Sequence, residues 1–260
     1  MGGLGRRMIA ANPVQQALHE GRAAVGTWMT LGSASACESM AQLGWDWLVV
    51  EVEHSPVGFE TMVSNFRAIQ LGGAVPMARV PWNDTIWIQR TLDAGALGLV
   101  IPMINSREDA EAAVANTKYA TVGQRSYGGI RIRGYVEGDY FAWAAANITV
   151  IPMIETIQAV ERADEILSVE GVDACFIGPS DLALSMGITL AQGGPGTAHE
   201  EAIQHVLGVC KSLGVAAGKH CGNIDEVNMR IKQGFQFLAN TSDSGFMLSE
   251  AGRQLGRLER

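Results

Sequence analysis

The sequence lacks what would tie it to a membrane, a nucleic acid or an oxidising compartment. No uncharged apolar run approaches the ~18 residues a bilayer-spanning helix needs. Basic side chains are the minority, 19 Lys and Arg against 27 Asp and Glu, for a net charge of −8. Such a chain has no basic surplus to displace counterions from a nucleic acid, and nothing to draw it to an anionic bilayer. Its four cysteines, Cys37, Cys175, Cys210 and Cys221, show neither CxxC nor zinc-finger spacing, which fits a reducing cytoplasm better than a disulfide framework. The opening MGGLGRRMIAANPVQQ carries two arginines with no long apolar core behind them, so no secretory leader is expected. Arg6 also stands where a myristoylation signal needs Ser or Thr. These absences predict a soluble cytoplasmic protein whose partners are small molecules, not nucleic acid or membrane.

Apolar material, by contrast, is plentiful. Hydrophobic residues make up 47% and charged residues 18% of 260 positions, ample for one large core. Short, nearly continuous apolar runs, as expected of parallel strands buried on both faces, fall at Val25–Met29, Trp47–Glu51, Val75–Val80, Gly98–Met103, Thr149–Ile154, Ala174–Ile177, Gly214–Gly218 and Phe235–Ala239. Amphipathic segments such as FETMVSNFRAIQLG and EEAIQHVLGVCKSLG lie between them, several closing near a glycine: Gly72, Gly95, Gly171 or Gly214. Candidate strand ends recur at 25 residues from His54 to Arg79, 24 from Arg79 to Met103 and 26 from Glu155 to Asp181. That interval suits one strand, one helix and two short loops. Eight such units make a single-domain (β/α)8 TIM barrel spanning 1–260, with a lead-in helix at about 12–21 and a helical C-terminal segment at about 245–260. VIPMI occurs at Val100–Ile104 and again at Val150–Ile154, hinting at equivalent strands. The intervening VGQRSYGGIRIRGYVEGDY reads either as a solvated loop or as a lid or subunit contact near the mouth.

Working groups in such barrels sit just beyond the C-terminal strand ends. Those positions hold Glu51, Glu53, His54, Arg79, Glu155, Ser180, Asp181, Lys219, His220 and Asp243, with Asp93 inside a helical segment. Two carboxylates, Glu155 and Asp181, together with water and a bidentate keto acid, would complete an oxygen shell suited to a hard divalent ion. Each alone would equally serve as a cap or first-turn acid of a helix. Gly178-Pro179-Ser180 would leave backbone N–H groups free for a carboxylate, or would simply start a helix. His54 is a candidate base or a structural histidine, and Arg79 a substrate contact or a rim ion pair. His19, His199 and His205 have no expected role.

Together EVEH, ARVPWND, TLDAG, VIPMIET and FIGPSDLALSMG resemble the HpcH/HpaI aldolase family of metal-dependent pyruvate aldolases, from about Val25 to the C-terminal region. The resemblance implies a class II aldolase that reversibly cleaves a 4-hydroxy-2-oxo acid, such as a 2-keto-3-deoxy sugar acid, to pyruvate and an aldehyde. It implies Mg2+, Mn2+ or Co2+ as cofactor, with Glu155 and Asp181 as metal ligands. His54 becomes the acid–base residue with Asp93 as its dyad partner, and Arg79 meets the keto oxygen. Gly178 and the N–H groups of Ser180 and Asp181 bind the substrate carboxylate. A hexameric homo-oligomer is also implied. No lysine Schiff base is needed.

The chain departs from that pattern in places. Glu51 stands where the family usually has Asp, Met153 where it often has Gln, and Lys219 and His220 where relatives are often apolar. The last pair points to a polar or anionic aldehyde, or else to a surface salt bridge. Two further readings stay open: an oxaloacetate decarboxylase or other keto-acid lyase, and a barrel that binds keto acids without turnover.

Overall fold

The computed structural model describes residues 9–259; the opening stretch with Arg6 lies outside the described residues. Eight parallel strands close into a barrel in sequence order: β1 (Ala24–Met29), β2 (Trp47–Glu51), β3 (Val75–Arg79), β4 (Gly98–Ile101), β5 (Thr149–Ile154), β6 (Ala174–Ile177), β7 (Ala216–Cys221) and β8 (Phe237–Ser242). At least one helix follows each strand, so the molecule is a (β/α)8 barrel. No helix of the described residues is long and apolar enough to cross a membrane.

Every residue of β2, β4, β5 and β6 is buried, which accounts for their unbroken apolar runs. Trp28 stacks on Phe176 at 4.8 Å between ring centres, and Trp47 on Phe237 at 4.3 Å. These four rings fill much of the interior. Gly26 makes room for them: a Cβ there would stand 2.2 Å from the Trp47 side chain and carbonyl. Asn12 caps the helix Pro13–His19, and its amide donates to the carbonyls of Leu97 and Asn147 and to Thr149 Oγ1. The lead-in segment is thereby fastened to the end of the barrel where β4 and β5 begin.

The last two strands begin two residues later than their apolar runs predict. Gly214 takes a left-handed φ of 70° as the C-cap of the helix Ala198–Leu213, so the chain is still turning there. β7 then runs through Lys219 and His220, and β8 through Asn240, Thr241 and Ser242. The VIPMI copies lie on neighbouring strands with Val100 opposite Ile151, but they do not end alike. Beyond Pro102, Met103 adopts a φ of 55°, whereas β5 continues to Ile154. The insertion before β5 is anchored at a few buried points, while Val122, Tyr127 and Ile130 are exposed. Ile132, Val136, Tyr140 and Trp143 are buried, and the fully buried Arg125 side chain donates to Asp93 and to Tyr140.

Candidate active site

The mouth of the barrel is organised by Glu51, the last residue of β2. Its Oε2 accepts from Trp28 Nε1 at 2.7 Å and from Arg79 Nε at 2.6 Å, with Arg79 Nη2 also 2.6 Å away. Its Oε1 accepts the backbone N–H groups of Glu53 and His54 at 2.7 and 3.0 Å. A buried carboxylate so fully met is tolerable in a dry interior. The register explains the pairing, since Glu51 lies directly opposite Arg79 across β2 and β3.

Beyond it lie three further acids. Arg79 Nη1 is 3.3 Å from Glu53 Oε2, and His54 Nε2 is 3.8 Å from the same oxygen. Glu53 Oε2 is nevertheless buried without a hydrogen-bond partner. Burial raises the Glu53 pKa; Arg79 and His54 oppose this, and Glu51 and Asp181 add to it. Glu155 follows β5 and is buried. Burial pushes its pKa up to about 7, against the Met103 N–H that donates to Oε1 at 2.7 Å; Asp181 and Glu53 raise it further, while Arg79 lowers it. The glycine at 178 lets this carboxylate in: a Cβ there would stand 2.8 Å from Glu155 Oε2. Asp181 lies exposed in the first turn of the helix Pro179–Ser185, whose N-cap Gly178 offers no side chain to cap it. Among the described residues the N–H groups of Ser180 and Asp181 have no hydrogen-bond partner outside the helix.

Glu53, Glu155, Asp181 and Arg79, all of them strand-end positions, thus act on one another at the same end of the barrel. With Glu51, four acids face one guanidinium, and a buried oxygen of Glu53 has no hydrogen-bond partner. Oxygen donors of this kind suit a hard divalent cation. Among the described residues no three His, Cys, Asp or Glu side chains converge as a self-sufficient metal site. An ion here would draw further donors from substrate and water.

His54 is an exposed rim residue whose acidic neighbour is Glu53. The expected His54–Asp93 pair is not among the contacts of the described residues. Asp93 Oδ1 is instead 2.7 Å from Arg125 Nη2, at the base of the insertion. Lys219 is also turned away, its Nζ 2.7 Å from both Glu226 Oε1 and the His220 carbonyl. Met153 is buried, and its methyl would lie 3.1 Å from a Cβ at Gly178. Glu53 stands among the strand-end positions with no role assigned to it from the sequence, and nothing in the sequence marks Trp28.

The profile of the HpcH/HpaI aldolase/citrate lyase family matches residues 24–249. A hydroxypyruvate/pyruvate aldolase from Rhizorhabdus wittichii is 36% identical, over 94% of this chain and 97% of that protein. A 2-dehydro-3,6-dideoxy-6-sulfogluconate aldolase from Pseudomonas putida is 34% identical, over 91% of this chain and 93% of that one. Among solved structures, an HpcH/HpaI aldolase/citrate lyase family protein from Burkholderia cenocepacia superposes with a TM-score of 0.88 at 31% identity, covering 95% of this chain and 98% of that chain.

Proposed function

This chain belongs to the HpcH/HpaI aldolase/citrate lyase family and is a carbon–carbon lyase of the aldolase type; we propose that it reversibly cleaves a 4-hydroxy-2-oxo acid to pyruvate and an aldehyde, with Mg2+, Mn2+ or Co2+ as its cofactor. The observation that carries this reading is the buried Glu155 carboxylate, sharing the mouth with Asp181, Glu53 and Arg79.

Glu155 and Asp181 would hold the cation. When bound, it supplies a Lewis acid that draws electron density from the keto oxygen. Arg79, fixed by Glu51, donates to that oxygen and meets the negative charge that grows there as the bond parts. A preorganised donor of this kind contributes about 3–4 kcal/mol to the transition state. The N–H groups of Ser180 and Asp181, reached past Gly178, receive the substrate carboxylate. In the cleavage direction His54 takes the proton from the 4-hydroxyl. The C3–C4 bond then breaks, the aldehyde leaves, and the electron pair remains on the pyruvate unit as its enolate, which is protonated at C3. Glu53, beside His54, takes in this reading the supporting role first expected of Asp93.

Steady-state pyruvate release from 4-hydroxy-2-oxo acids, with added Mn2+ and after exhaustive chelation, tests the proposal. Turnover should vanish on chelation and return with the metal. Borohydride with pyruvate should leave the enzyme intact, because Lys219 is bound behind the strand. Metal-independent turnover, or covalent trapping at Lys219, would overturn the reading.

A further inference from the structure

The two VIPMI runs are followed by different polar pairs, Asn105-Ser106 after the first and Glu155-Thr156 after the second. Ser106 and Thr156 play the same part, each capping the helix that follows it. Asn105 and Glu155 therefore hold matching places in the two runs, one an amide and the other a carboxylate. They meet at Met103. Its N–H donates to Glu155 Oε1 at 2.7 Å, and its carbonyl accepts from Asn105 Nδ2 at 3.0 Å.

The Met103 φ of 55° is uncommon for a residue with a side chain, and such a setting persists only where neighbours hold it. Asn105 is one of those neighbours, and the other end of its amide is engaged too. Thr156 Oγ1 accepts the Ala159 N–H at 3.0 Å as the helix cap, and gives its own hydrogen to Asn105 Oδ1. Asn105 thus grips both the residue whose N–H fixes Glu155 and the residue that follows Glu155 in the chain. Its own N–H donates to Asp109 Oδ2 at 3.0 Å, which ties it to the start of the next helix. A donor toward Met103 and an acceptor toward Thr156 call for an amide of this length. Leucine offers neither, and aspartate would set an oxygen against the Met103 carbonyl.

We propose that Asn105 is a positioning residue for Glu155. It acts through the backbone of Met103 and the hydroxyl of Thr156, keeping the Met103 N–H aimed at Glu155 Oε1 and the Glu155-Thr156 turn in place. This rests on the aldolase reading above, in which Glu155 holds the cation. Groups that orient a metal ligand from behind typically change metal affinity by about 10–100-fold when removed.

Two measurements on Asn105→Leu test the assignment: calorimetric titration with Mn2+ in the presence of pyruvate, and amide hydrogen exchange of residues 103–106 in metal-free protein, read by mass spectrometry. Mn2+ affinity should fall about tenfold or more. Exchange across 103–106 should quicken, because the Met103 N–H loses its fixed aim. At saturating Mn2+, kcat should fall by less than the affinity does, since Asn105 touches neither substrate nor reacting atoms. Thr156→Val should weaken Mn2+ binding in the same direction, and Thr156→Ser, which keeps the hydroxyl, should bind like the unaltered protein. Unchanged Mn2+ affinity or unchanged exchange in Asn105→Leu, or equal affinities in the two Thr156 variants, would overturn the assignment. Mn2+ binding that the unaltered protein and Asn105→Leu share sinks the Asn105 role alone. An unaltered protein that binds no Mn2+ sinks the metal-dependent aldolase reading and this inference with it.

Discussion

Glu51 Oε2 lies 2.6 Å from both Nε and Nη2 of Arg79, with both side chains largely buried. One carboxylate thus aims the guanidinium and, through its other oxygen, pins the turn that carries Glu53 and His54. Glu51→Gln removes the charge and leaves Arg79 facing Glu53 alone. Loss of one partner of a buried pair costs about 3–5 kcal/mol, so thermal unfolding should begin roughly 6–20 °C lower for a chain of this size. Pyruvate should also bind more weakly. A melting temperature and pyruvate affinity equal to the parent's would remove Glu51 from this role.

Glu155 predicts how stability follows pH. Its pKa is raised from 4.5 to about 7 in the folded chain. The folded state therefore holds this proton more tightly than the unfolded one. The resulting stabilisation is complete below pH 4.5 and is lost as pH rises through about 7. Metal-free protein should lose stability across that window, and Mn2+ should raise the melting temperature more at pH 8 than at pH 5.5. Glu155→Gln should flatten the dependence and abolish the Mn2+ effect. Calorimetric melts with and without Mn2+ check both; an equal Mn2+ effect at the two pH values would contradict the assignment.

Gly178→Ala is a small change with a local target. Its backbone, φ −89° and ψ 95°, is open to any residue, so the effect is steric. The new methyl would crowd Glu155 Oε2 and Cβ and the Met153 methyl. Metal affinity should fall about tenfold or more, since moving a ligand carboxylate off its position is costly, while the fold survives. Titration with Mn2+ followed by circular dichroism separates the two effects.

Asp93 anchors the insertion through Arg125. Asp93→Asn should expose residues 122–140 to faster cleavage by trypsin, visible as an early fragment pair by mass spectrometry. An insertion that stays protected, with turnover falling as in His54→Ala, would return Asp93 to the acid–base pair.

Six of the eight strands are legible to within two residues because they are almost wholly buried and their bodies are mostly apolar. β7 and β8 were misplaced because polar residues complete them: Lys219 is buried only by virtue of Glu226, and Asn240 and Thr241 close β8. Strand-end spacing named Glu53, Arg79, Glu155 and Asp181 among its positions, and these four do act on one another. It could not foresee pairings made across the fold. Asp93 was expected beside His54, but Arg125, 32 residues further along, reaches it first. Trp28 looks like any core aromatic in the sequence, and only the barrel's closure brings its indole to Glu51.

In the proposed reaction Glu155 and Asp181 share one divalent cation with a keto acid. Calorimetric titration of Mn2+ into chelator-stripped protein containing pyruvate tests it directly. The prediction is one saturable site per chain in the unaltered protein, lost in Glu155→Gln and in Asp181→Asn while both variants remain folded. Undiminished Mn2+ affinity in either variant would contradict it.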